Sequence, residues 1–239
     1  MTDAEGLRAA IAAVRSGIEA ACDRSGRNHR EVLLVAVTKT VPVQVIEAAR
    51  AEGLHEFAEN YANELAAKAT EVEATWHFIG KLQRGTAHRV AEHADVVHSA
   101  EPGRALERLA GRATSQEKMV RCLLQVDFTG RRQGVAPEEA AGAVGACGSL
   151  EGLHLVGLMT LPPWTEDPEA TRPYFARLRA LRDRLRKAHP DVAELSMGMS
   201  GDYEVAVEEG ATMVRVGTAL FGSRPAQSMP GDARLGGEG

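Results

Sequence analysis

A (β/α)8 barrel, an α/β fold of the TIM type, is the fold class the sequence predicts, and two observations carry the prediction. Compact apolar runs alternate with helically spaced runs eight times within 239 residues. Such alternation implies a parallel sheet covered by helices, and eight units in about 200–250 residues is the arithmetic of this barrel. The second observation is the turn after the first run, VTKTVPV, which lacks the glycines an open doubly wound sheet places there. That open sheet is the alternative, and it ordinarily has fewer strands.

Each element has its own signal. Leu7, Ile11, Val14, Ile18 and Ala21 recur at helical spacing and predict an extra N-terminal helix over 4–22. Residues 32–38 form an apolar, β-branched run suited to a strand buried on both faces. Pro42 opens the next helix, where its missing N–H costs little, and Gly53 caps its end. Strands near 54–58, 76–79, 95–99, 119–126 and 153–159 then precede helices near 60–72, 84–92, 103–112, 137–146 and 168–187. A strand near 194–197 precedes a helix over 203–209, and a last strand, 212–216, leads into a short helical turn at Ala219 and Phe221. The second and seventh strands are the shortest and most weakly marked. Residues 1–223 are expected to form one barrel domain. The Gly- and Pro-rich tail, 224–239, is expected to be disordered.

Composition narrows the function classes. The chain is 44% hydrophobic and 26% charged, as ordinary globular proteins are. Its 28 basic and 33 acidic side chains give a net charge of -5, which leaves no electrostatic footprint for nucleic acid. No apolar stretch approaches the roughly 18 residues of a membrane span, and MTDAEGLRAA carries no export signal. The odd set Cys22, Cys122 and Cys147 has no metal-like spacing and predicts reduced thiols in a cytoplasm. His77, His88, His93 and His98 include no i, i+4 pair, so no metal site is expected. The arginine-rich face of the 168–187 helix reads as a solvated face.

In a barrel of this kind the chemistry lies where strands end and loops begin. Lys39 follows the first strand, Glu59 and Asn60 the second. SMGMSGD follows the seventh and RVGTALFG the eighth. Ser200 with Gly201, and Gly217 with Thr218, each supply a hydroxyl and backbone donors suited to an anion. Either loop alone would be an ordinary helix cap. Two on adjacent strands predict a phosphate cup. Closure pairs the eighth strand with the first and sets Lys39 beside that cup. Such a lysine serves either as an amine that forms an imine with a carbonyl or as a plain phosphate-binding cation. The residues alone leave both open. Glu59 reads as an anion beside Lys39 or Arg215, and Tyr203 as a helix-face residue in preference to a cofactor-side phenol.

Five stretches resemble the YggS/PROSC family of pyridoxal-phosphate-binding proteins: VAVTKT at 35–40, FAENYANE at 57–64, WHFIGKLQ at 76–83, GLMTLPP at 157–163 and LSMGMSGDYEVAVEEGATMVRVGTALFG at 195–222. They span nearly the whole barrel in the family's order. The resemblance implies a barrel of the alanine racemase N-terminal type (the type III fold of pyridoxal phosphate proteins), with pyridoxal phosphate held as an imine on Lys39. It places Ser200, Gly217 and Thr218 at the phosphate, Asn60 near the cofactor, and Arg215 opposite the pyridine nitrogen. Ala58, Gly85 and Asp127 depart from the family's usual residues and touch neither Lys39 nor the cup.

The resemblance further implies intracellular pyridoxal phosphate homeostasis, with buffering of the aldehyde and delivery to apoenzymes by a monomer. An amino-acid racemase or other imine-forming enzyme is the alternative. Racemases of this barrel type take their second base from an additional β domain. The short stretch after Phe221 leaves no room for one, and proton transfer on both faces needs that base.

Overall fold

A computed structural model describes residues 4–222. The strands are β1 (Leu33–Val37), β2 (Glu56–Glu59), β3 (Thr75–Phe78), β4 (Val96–Ala100), β5 (Val120–Val126), β6 (Leu153–Thr160), β7 (Glu194–Ser196) and β8 (Met213–Val216). They close in sequence order into one parallel eight-stranded barrel. Closure runs through β1 and β8, with Leu33 opposite Met213 and Val35 opposite Arg215. The weakly marked second and seventh strands are both present. The expected disordered tail, 224–239, lies outside the described residues.

Parity along the strands divides the apolar residues into two layers. Val35, Ala58, Val96, Leu123, Val156, Met159 and Met213 meet inside the barrel. Their neighbours, among them Ala36, Phe57, Val97, Leu124, Leu158 and Val214, face outward and pack with the helices. The helices α2 (Val43–Ala51), α3 (Ala62–Ala69), α4 (Ala87–His93), α5 (Arg104–Ser115), α6 (Ala140–Gly148), α7 (Arg172–Leu185) and α8 (Tyr203–Glu208) follow successive strands, and α9 (Thr218–Phe221) closes the order. Each hides an apolar stripe. In α5 it is Leu106, Leu109, Ala110 and Ala113, and in α7 Phe175, Leu178, Leu181 and Leu185. The extra helix α1 (Ala4–Ser25) buries Leu7, Ile11, Val14 and Ile18 and packs against α8 and α9.

Three details differ from the sequence reading. β2 begins two residues later than expected, so Glu59 belongs to the strand and is fully buried. The helix expected over 168–187 is split. Asp167 caps a 3-10 turn, Pro168–Thr171, by accepting from the Glu169 N–H, and the α-helix proper begins at Arg172. Pro173 explains the break, because it has no N–H to give the Glu169 carbonyl. The arginines of α7 are not simply solvated. Arg172 pairs with Glu208 and Glu209, Arg179 with Glu209, and Arg177 lies 4.5 Å over the Phe128 ring.

Candidate functional site at the barrel mouth

Lys39 sits half-buried in a turn directly after β1. The turn is closed by the Val41 N–H donating to the Thr38 carbonyl. Thr40 has a φ of 65°, the left-handed region that a β-branched residue avoids. What holds it there is Glu64, whose carboxylate accepts from the Thr40 N–H at 2.8 Å.

Behind this turn, between the barrel wall and α3, lies a buried ion cluster that the sequence reading missed. Lys68 donates to Glu59 Oε1 at 2.7 Å, to Glu64 Oε2 at 2.8 Å and to the Thr38 carbonyl at 2.8 Å. All three ammonium protons are therefore used. Thr38 Oγ1 also donates to Glu59 Oε1, at 2.7 Å. Burial pushes the Glu59 carboxyl above its ordinary value, against the pull of Lys68 and Thr38. Burial acts the same way on Glu64, but the bonds from Lys68 and Thr40 outweigh it and hold that carboxyl low. Glu59 thus pairs with Lys68 and not with Arg215. The available signal was the i, i+4 spacing of Glu64 and Lys68.

The loops after β7 and β8 meet each other. Gly198 takes a φ of 92°, and a Cβ there would stand 2.5 Å from that of Ala206, so only glycine permits this turn. Asp202 ties the loop by accepting from the Met199 N–H at 2.6 Å. Ser200 Oγ then accepts from the Gly217 N–H at 3.1 Å and the Ala219 N–H at 3.3 Å. Two backbone donors converging on one oxygen is the arrangement an anionic oxygen requires. Gly217 also lies close against β1, where a Cβ would be 3.3 Å from that of Val37. The β8 loop and the Lys39 turn are therefore neighbours, as barrel closure predicted. Thr218 and Gly201 are exposed at the rim, and nothing crowds Gly201. Asn60 follows β2 on the other side of the Lys39 turn. Its carbonyl lies where a Cβ on residue 80 would be, so the backbone approaches this closely only because residue 80 is glycine.

Arg215 is inside the barrel and almost fully buried. It donates to Ser196 Oγ and to the Thr160 carbonyl. Burial lowers its pKa to about 10, with Asp202 opposing. His77 and His98, also inside, touch edge to face with ring centroids 5.0 Å apart. Among the described residues no group of three His, Cys, Asp or Glu is arranged to hold a metal ion. Tyr203 points away from the mouth, its hydroxyl fitting over Gly17 of α1 where a side chain would collide.

His98 makes the fold acid-sensitive. Burial holds its pKa well below the ordinary 6.5, and the nearby His77, Arg215 and Arg121 lower it further. Below that pH the unfolded chain takes up a proton that the folded chain refuses. Stability present above pH 6.5 is therefore lost as the pH falls, by up to about 1.4 kcal/mol per unit. Urea midpoints measured down a pH series are expected to fall from that point, and His98→Gln to flatten the slope. An equal slope in the variant would contradict this.

The fold and the mouth together define a class: a parallel barrel of the kind described as the alanine racemase N-terminal domain, a family that matches residues 11–225. The chain is 39% identical over 219 residues to a pyridoxal phosphate homeostasis protein of Pseudomonas aeruginosa, covering 90% of this chain and 94% of that one. It is 37% identical over 220 residues to the protein of the same name from Aquifex aeolicus, covering 90% and 96%. Among solved structures, PipY of Synechococcus elongatus with pyridoxal phosphate bound superposes with a TM-score of 0.80 at 33% identity, over 90% of this chain and all of that one. The chain belongs to the YggS/PROSC family of pyridoxal phosphate homeostasis proteins.

Proposed function

We propose that this protein binds pyridoxal phosphate at the barrel mouth as an imine on Lys39, and that it serves cofactor homeostasis by holding the aldehyde and passing it to apoenzymes. The observation that carries this is the meeting of the two mouth loops beside β1. Ser200 Oγ, Gly217 N–H and Ala219 N–H converge there, next to the Lys39 turn. The residues present suit the group. In this reading Ser200, Gly201, Gly217 and Thr218 hold the phosphate, Asn60 flanks the ring, and Arg215 donates to the ring nitrogen. The cofactor supplies an aldehyde that condenses reversibly with amines.

A carrier reading is preferred to a racemase because Arg215 has donors only and does not protonate the ring as a carboxylate partner would allow. Tyr203, set over α1, is not placed to act as a second base at the mouth. The homeostasis names of the relatives support the same choice. The reading includes a single barrel domain over 1–223 acting as a monomer in the cytoplasm. Three buried, unpaired cysteines fit a reducing compartment. No described helix is long and apolar enough to cross a membrane.

The test separates phosphate from ring. In the double variant Ser200→Ala, Thr218→Ala, affinity for pyridoxal phosphate is expected to fall about tenfold or more for each charged hydrogen bond lost. Affinity for unphosphorylated pyridoxal is expected to stay the same. Equal losses for both ligands would refute the phosphate role.

A further inference from the structure

A polar chain crosses the barrel interior from floor to mouth. Glu56, His77, His98, Ser196 and Arg215 sit on β2, β3, β4, β7 and β8, and each touches the next. His77 Nε2 lies 2.7 Å from Glu56 Oε2, and His77 Nδ1 lies 2.7 Å from His98 Nε2. His98 Nδ1 lies 2.7 Å from Ser196 Oγ, which also receives the Arg215 guanidinium. His77, His98 and Ser196 are wholly buried.

The carboxylate gives this chain one direction. It only accepts, so His77 carries its proton on Nε2 and donates to Glu56. With both imidazoles neutral, His77 Nδ1 is then an acceptor, so His98 carries its proton on Nε2 and donates to it. His98 Nδ1 is left to accept the single proton of Ser196, whose oxygen accepts in turn from Arg215. The row ends on a guanidinium, which only donates. Glu56 is also the member that meets solvent, with 24% of its side chain exposed. It opens into a floor cleft of about 350 Å³ lined by Arg15, Glu19, His29 and His55.

We propose that Glu56, His77, His98 and Ser196 are positioning residues for Arg215. A carboxylate at the barrel floor orients the arginine near the mouth through two histidines locked in single tautomers. Without the acceptor at Glu56, His77 loses the partner that fixes its proton on Nε2. Both imidazoles can then reverse, and Ser196 can turn its proton away from His98. The cofactor consequence rests on the proposed placement of Arg215 at the ring nitrogen. The chain of tautomers does not.

The experiment has two arms on the full-length protein. In the unloaded protein, 15N NMR is expected to show the Nε2–H tautomer for both His77 and His98. Exchange of the Arg215 guanidinium protons is expected to quicken about tenfold in Glu56→Leu, the loss of one ordinary hydrogen bond. Glu56→Gln retains an accepting oxygen and is expected to restore slow exchange. Ser196→Ala, which cuts the chain beside Arg215, is expected to behave as Glu56→Leu does and serves if the latter fails to fold. In the loaded protein the imine absorbance band is expected to shift in Glu56→Leu and Ser196→Ala and to return in Glu56→Gln. An Nδ1–H tautomer at either histidine overturns the proposal. So does unchanged Arg215 exchange in folded variants, or an unmoved imine band. If the wild-type protein shows no imine band, the Lys39 reading fails instead, and the tautomer and exchange arm still decides the chain.

Discussion

Lys39→Ala is expected to abolish the visible imine absorbance of the protein mixed with pyridoxal phosphate, and with it fixation of the cofactor by borohydride. Lys68, the next lysine in the sequence, is not free to substitute, because all three of its protons are engaged behind the barrel wall. The fold is expected to survive. The backbone of the turn is held by the Thr40 N–H on Glu64 and by Lys68 on the Thr38 carbonyl, bonds the substitution leaves in place. Circular dichroism and the urea midpoint check that half of the prediction, with a change within about 1 kcal/mol. A pyridoxyl adduct mapped to another lysine after reduction and digestion would show the assignment to be wrong.

Lys68 is expected to behave in the opposite way. Lys68→Ala strands the Glu59 carboxylate, fully buried and now lacking the Lys68 ammonium, and should destabilise the fold by about 3–5 kcal/mol in chemical denaturation. Removing the charge at both ends, as in Lys68→Met with Glu59→Met, is expected to recover most of that loss, since apolar residues of similar volume avoid the stranded charge. The single substitution should weaken pyridoxal phosphate as well, because Glu64 loses the ammonium that helps aim it at the Thr40 N–H. A single variant as stable as the parent would mean that Glu59 is neutral in the folded protein.

These two lysines illustrate how far sequence reasoning reaches. Lys39 was legible because it interrupts an apolar strand pattern at a strand end, where barrels keep their chemistry. Lys68 was not, because it lies on a helix among alanines, where a lysine ordinarily faces solvent. Its burial depends on Glu59, and Glu59 became a partner only because β2 runs one residue further than its apolar pattern suggested. Pairing of this kind joins the outer face of a strand to the helix packed over it, and hydrophobic periodicity carries no information about it.

The same distinction runs through the molecule. The alternation of apolar runs determined the eight strands, their parallel order and the amphipathic helices, because burial of apolar surface is a local demand repeated along the chain. The glycine and hydroxyl residues after β7 and β8 likewise marked those loops in the sequence as the candidate anion cup. Only the tertiary structure decided that Ser200 Oγ gathers two N–H groups from the β8 loop, and that Arg215 answers to Ser196 rather than to Glu59. It alone brought Glu56, His77 and His98 into one row. The physical reason is that a hydrogen bond is made between atoms a few ångströms apart whatever their separation in the chain. Closing the barrel sets those distances across strands far apart in sequence, whose local patterns are independent of one another.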